Sequence, residues 1–141
     1  MFIYHTPDTA SAKSKEMLEH AKASYGMIPN LHAILAEAPA TYEAYTWLYG
    51  KFTTETSLSP LEQQVVMMRS NFENNCHYCV PAHTWIMKSG DMPEDVIDSL
   101  REGRPIKNAK LEALSTFVKD VWDSRGHTGE EKLNNLSLIH I

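Results

Sequence analysis

The nine residues Asn75-Cys76-His77-Tyr78-Cys79-Val80-Pro81-Ala82-His83 hold both cysteines of the chain and two of its seven histidines. Pro81 organises the stretch. Inside a helix its ring would clash with the carbonyl of His77, so a helix is predicted to begin near Val80 or Pro81. Cys79 then sits at a helix N-terminus, and His83 lies one turn further along the same face. Cysteines three apart on a helical turn have α-carbons roughly 5–5.5 Å apart, inside the ~4.4–6.8 Å range for a disulfide. A helix N-terminus favours a thiolate, which makes Cys79 the better nucleophile and Cys76 the partner that attacks it after oxidation. His83 is placed to take the thiol proton, directly or through a water. Three chemistries compete for the segment. One is a redox pair. Another is a zinc site of Cys76, Cys79 and His83, which needs a fourth ligand that no second CxxC or HxxxH supplies. The third is two small buried thiols beside a satisfied histidine.

Outward from this segment the punctuation is helical in both directions, and no stretch alternates as a strand would. Upstream, Ser59-Pro60-Leu61-Glu62 opens a helix with an N-cap, a proline at the first helical position and a capping-box carboxylate. Leu61, Val65, Met68 and Phe72 form its apolar stripe. Before it come a helix from about Thr9 to Tyr25 stopped by Gly26, and a turn at Ile28-Pro29-Asn30 with Asn30 as a cap. A short helix from Leu31 to Ala38 follows, then one from Pro39 to about Phe52. Met17, Leu18, Ala21 and Tyr25 are expected on the buried side of the first. Tyr42, Tyr45, Trp47, Leu48 and Tyr49 are read as core aromatic packing. Downstream, Ser89-Gly90 ends the helix of the cysteine segment. Asp91-Met92-Pro93-Glu94-Asp95 begins another that Gly103 stops, and Asn108 caps a seventh with Leu111, Leu114, Val118, Val121 and Trp122 facing inward. The expected architecture is all-α, about seven helices, in one domain over residues 1–135.

Composition agrees. With 43% hydrophobic and 22% charged residues the chain is of ordinary globular type. Thirteen basic against eighteen acidic side chains, a net charge of −5, argue against nucleic acid as the main partner. No apolar run approaches a membrane span, and the N-terminus lacks a signal-peptide core. A lone close cysteine pair suits a reducing cytoplasm. His20 and His32 are read as surface or packing residues, Tyr78 as a subunit contact or a lining of the site, and the scattered methionines as core filler. Thr128-Gly129-Glu130-Glu131 announces an eighth helix with little chain to complete it. The uncharged residues 136–141 look like the translated end of a transposon-type sequencing adapter, so the domain is expected to be truncated at its C-terminus.

The CxxCxxxH spacing, with Tyr25-Gly26-Met27-Ile28-Pro29-Asn30-Leu31 and the Leu58-Ser59-Pro60 helix start upstream, resembles the AhpD-like alkylhydroperoxidase branch of the carboxymuconolactone decarboxylase superfamily over about residues 15–132. The resemblance implies an all-α oligomer, here a homo-oligomer, that reduces alkyl hydroperoxides without metal or organic cofactor. A dithiol of thioredoxin or lipoyl type restores the pair. It makes Cys79 the peroxide-attacking thiolate, Cys76 the resolving thiol and redox-disulfide partner, and His83 part of a proton relay. The branch that decarboxylates a lactone lacks the cysteine pair, so lyase activity is not expected. A non-catalytic zinc-binding or interaction module is the reading from another class. The family's relay glutamate lies twelve residues before the first cysteine, where this chain has Gln64. Glu62 is about 200° away round the helix and engaged in capping. Glu73 is the only nearby carboxylate that could substitute and is otherwise a solvated surface charge, while His77 either tunes the thiols or is a plain exposed residue at the helix start.

Overall fold

A computed structural model describes residues 2–137. The adapter-like tail lies outside the described residues from Leu138 onward. Among the described residues there are eight α-helices and no strand: α1 (Ala12–Tyr25), α2 (Asn30–Leu35), α3 (Pro39–Thr54), α4 (Pro60–Glu73), α5 (Cys79–Ser89), α6 (Glu94–Glu102), α7 (Ala109–Asp123) and α8 (Glu130–Ser137). They form two compact units, one ending at Thr56 and the other beginning at Ser57.

The first unit contains α1 to α3. The Ser11 side chain caps α1 and Gly26 ends it at φ +73°, a left-handed position that costs a glycine nothing. Asn30 is not a cap: Pro29 is, with no side-chain bond, and Asn30 is the first helical residue. Tyr42 of α3 is fully buried with Leu18 of α1 and Ala36 after α2. Its hydroxyl donates to the Met17 carbonyl at 3.1 Å and accepts from His32 Nδ1 at 2.9 Å, so burying these polar groups leaves none of the three unpaired. The reading of α3 as core aromatics needs correction. Trp47 and Leu48 are 63% and 64% exposed. α1 and α2 both pack against α3 on its Tyr42 side, and the opposite face is left to solvent.

The second unit is organised around α4, which packs against α5, α6 and α7. The capping box is formed: Ser59 accepts from the Glu62 N–H while Glu62 accepts from the Ser59 N–H at 2.7 Å. Glu62 also pairs with Lys110 of α7 at 2.7 Å. That hydrogen bond and those from Ser59 hold its carboxyl down to about 2. Val65 and Met68 of α4 are fully buried against Met87 of α5, Ile97 and Leu100 of α6, and Leu111 and Leu114 of α7. Leu61 and Phe72 at the ends of the expected stripe are only half-buried. Asn108 caps α7 through the N–H groups of Lys110 and Leu111. Trp122, expected inside, is exposed, because α7 buries its first turns and not its last. α8 closes the unit: Lys132 pairs with Asp120 at 2.6 Å and Leu136 packs on the core.

Candidate functional site

α4 ends in a way that aims the chain at the first cysteine. Asn75 adopts the left-handed conformation at φ +52°. Its N–H bonds the Phe72 carbonyl at 2.9 Å, and the Cys76 N–H bonds the Asn71 carbonyl at 3.0 Å. This is the Schellman pattern, with asparagine at the position that glycine usually fills and that asparagine tolerates best among other residues. The helix end is wedged in place by Phe72. A β-carbon at Gly103 would collide with its ring, and the Arg69 guanidinium lies 5.6 Å from the ring centre.

Cys76 and Cys79 are joined by a disulfide with α-carbons 5.3 Å apart. α5 begins at Cys79, slightly before the predicted start, because Pro81 falls in the first turn, where a missing N–H is cheap. The Cys79 N–H donates to Cys76 Sγ at 3.0 Å, and the Val80 N–H bonds the Cys76 carbonyl at 3.2 Å. The N-cap position of α5 is Tyr78, which makes no side-chain bond, and Cys76 Sγ accepts the Cys79 N–H as a serine or aspartate oxygen would. The expectation that the helix start serves Cys79 is corrected here. Helix N–H groups point back toward the N-terminus, so a side chain three residues earlier receives them, not the side chain of the donor residue.

His83 is on the next turn of α5, and its Nδ1 lies 2.9 Å from Oε1 of Gln64 on α4. The Gln64 amide nitrogen is directed at Met67 Sδ, so its oxygen faces the ring and selects the Nδ1–H tautomer. The basic nitrogen is then Nε2. Burial lowers the pKa of His83, and the ring is neutral at pH 7 and able to accept a proton. Gln64 itself is only 5% exposed.

Other residues weighed from sequence fall elsewhere. Glu73 is taken by cations: Arg69 Nη2 at 2.6 Å and Lys119 Nζ of α7 at 3.8 Å. His77 is exposed in the loop before α5, as is His20 on α1, while His32 is buried in the first unit. Tyr78 is 41% exposed beside the disulfide. Among the described residues no group of three or more His, Cys, Asp or Glu side chains is arranged to hold a metal ion. No helix of the described residues is long and apolar enough to cross a membrane. Sequence reasoning missed Asn75 and the acceptor role of Cys76 Sγ. The signal for Asn75 was an asparagine three residues beyond the last apolar residue of a helical stripe.

An all-helical fold carrying a disulfide-bonded CxxC pair, one turn from a half-buried histidine, fits a redox role. The chain belongs to the carboxymuconolactone decarboxylase family, which it matches over residues 36–118. Its fold is that of the alkylhydroperoxidase AhpD core of an uncharacterized peroxidase-related protein from Ralstonia eutropha JMP134. The TM-score is 0.84 at 17% identity, covering 99% of this chain and 75% of that one. An uncharacterized peroxidase-related protein from Silicibacter sp. TM1040 is similar, with a TM-score of 0.81 at 19% identity over 93% of this chain and 70% of that one. A comparison with curated proteins found no match.

Proposed function

We propose that this protein is a thiol-disulfide oxidoreductase that reduces organic hydroperoxides. The observation that carries the reading is the Cys76–Cys79 disulfide at the start of α5, one turn before a neutral His83 held by Gln64. In the reduced enzyme His83 Nε2 takes the Cys79 thiol proton. The Cys79 thiolate attacks the terminal peroxide oxygen. The O–O bond breaks, Cys79 becomes a sulfenic acid, and the alkoxide leaves with the proton held by the imidazolium as an alcohol. Cys76 then displaces hydroxide from the sulfenic sulfur, forming the disulfide and, after protonation, water. A dithiol of thioredoxin or lipoyl type returns the pair to thiols and is itself oxidised to a disulfide. A reducing cytoplasm is the compartment in which that cycle turns over. The peroxidase-related descriptions of the two structural neighbours support this reading.

The test is hydroperoxide consumption with a dithiol reductant. Cys79→Ser is expected to abolish turnover. Cys76→Ser is expected to leave a sulfenic acid on Cys79 that dimedone traps. Parent protein that consumes no hydroperoxide, or a Cys79→Ser protein that retains turnover, overturns the reading.

A further inference from the structure

The hydrogen bonds at the start of α5 divide the labour between the two sulfurs. Every N–H of the first turn has a destination. Cys79 donates to Cys76 Sγ, Val80 to the Cys76 carbonyl and Ala82 to the Tyr78 carbonyl, while Pro81 has no N–H. Among the described residues the donor that reaches a cysteine sulfur reaches that of Cys76, and a sulfur accepts far better as a thiolate than as half of a disulfide. The sulfur is also held there from the other side. The left-handed Asn75 and the Asn71–Cys76 backbone bond fix the Cys76 backbone against the end of α4, so the donor–sulfur contact depends on two helix ends packed together.

We infer that Cys76 is the sulfur that carries the negative charge through disulfide exchange: it closes the bond as a thiolate, and it leaves as a thiolate when a reductant opens the bond at Cys79. This rests on the redox reading above and deepens it by assigning the electrophilic sulfur. In the opening step a thiolate of the dithiol reductant attacks Cys79 Sγ. The new S–S bond joins reductant to Cys79, the Cys76–Cys79 bond breaks, and its electron pair departs on Cys76 Sγ, where the Cys79 N–H receives it. The second thiol of the reductant, as a thiolate, then attacks its own bonded sulfur and expels Cys79. The two protons lost by the dithiol end on Cys76 and Cys79, and two electrons have passed from reductant to protein. The attacked sulfur belongs to the residue one turn before His83 on α5, so the expelled Cys79 thiolate has an acid–base group on the next turn.

The neighbouring charges leave this assignment to the backbone. On α4, Arg69 and Glu73 pair with each other and Glu73 with Lys119 of α7, while Glu62 pairs with Lys110 of the same helix. Lys88 at the far end of α5 pairs with Glu94 of α6. The titratable side chains of the segment itself are His77, Tyr78 and His83, and His83 is neutral and bonded to Gln64.

Two measurements test it, neither of which uses peroxide. In the reduced single-cysteine proteins, thiolate absorbance is followed against pH. Cys76 in Cys79→Ser is expected to titrate about one unit or more below the ~8.5 of a free thiol, and below Cys79 in Cys76→Ser. In the oxidised parent protein, brief exposure to glutathione followed by rapid alkylation and peptide mapping is expected to find glutathione on Cys79 and the alkyl group on Cys76. The reverse order of titration, or glutathione on Cys76 or divided equally, overturns the inference. A protein that shows the expected adducts and consumes no hydroperoxide separates failure of the peroxidase reading from failure of this one.

Discussion

Gln64 decides what kind of base His83 is. A carboxylate bonded to Nδ1 would raise the imidazole pKa by stabilising its cation, whereas an amide orients the ring and leaves burial to push the pKa down. Gln64→Glu is therefore expected to raise the His83 pKa and to speed peroxide-driven oxidation of the thiols at neutral pH by several-fold, toward the ~10² that a positioned base contributes. Stopped-flow measurement of thiol oxidation across pH reads both effects. An unchanged pH profile would mean that Gln64 does not act through His83. At this scale the site was partly legible. Spacing alone put His83 one turn past Cys79, and the family position pointed to residue 64. The engagement of Glu73 with Arg69 and Lys119 was not legible, because it depends on which face of α7 meets α4.

The helix ends were the most legible elements, because their signals are local. Ser59 with Glu62, Asn108, Gly26 and Gly103 all act where a cap or stop was expected. Burial was less legible, because it depends on partners that a periodic pattern does not name. Tyr42 and Trp47 look alike in the sequence of α3, yet one is in the core and the other is not. The turn at Asn75 falls between these cases. Its left-handed backbone suits asparagine or glycine, whereas a β-branched side chain there costs about 1–2 kcal/mol. Asn75→Gly is expected to melt within a degree or so of the parent, and Asn75→Val about 2–6 °C lower. Because Cys76 follows directly, Asn75→Val should also slow re-formation of the disulfide by a mild oxidant after reduction, with Asn75→Gly close to the parent. Equal melting and re-oxidation of all three proteins would show that the turn does not position Cys76.

Over the whole molecule three buried or paired ionisable groups bias stability in one direction with pH. His32 in the first unit and His83 in the second both have pKa values lowered by burial. In the unfolded chain each takes up a proton as pH falls through about 6.5, while in the native protein each resists until lower pH. The unfolded state then binds more protons, and the stability that the neutral rings contribute above about pH 6.5 is lost as pH falls through their native values. Glu62 acts in a second window. Its native carboxyl is held at about 2, from an ordinary value of 4.5. The stability it contributes above about pH 4.5 therefore drains away as pH falls toward about 2, and amounts to roughly 2 kcal/mol once screening at the half-exposed Lys110 is allowed for. Thermal melting at about pH 7.5, 5.5 and 3.5 separates the windows. The measure is each variant's own change with pH, so any general destabilisation cancels. The loss of melting temperature between about pH 7.5 and 5.5 should shrink in the double variant His32→Gln, His83→Gln, since glutamine does not titrate. The further loss between about pH 5.5 and 3.5 should shrink in Glu62→Gln. With Trp85 and Trp122 replaced by phenylalanine, Trp47 reports the first unit, where His32→Gln alone should flatten the upper window. With Trp47 replaced, the remaining two report the second unit, where His83→Gln should do so. A double variant that loses as much melting temperature as its parent between about pH 7.5 and 5.5 would show that the two rings are protonated as readily in the native protein as in the unfolded chain.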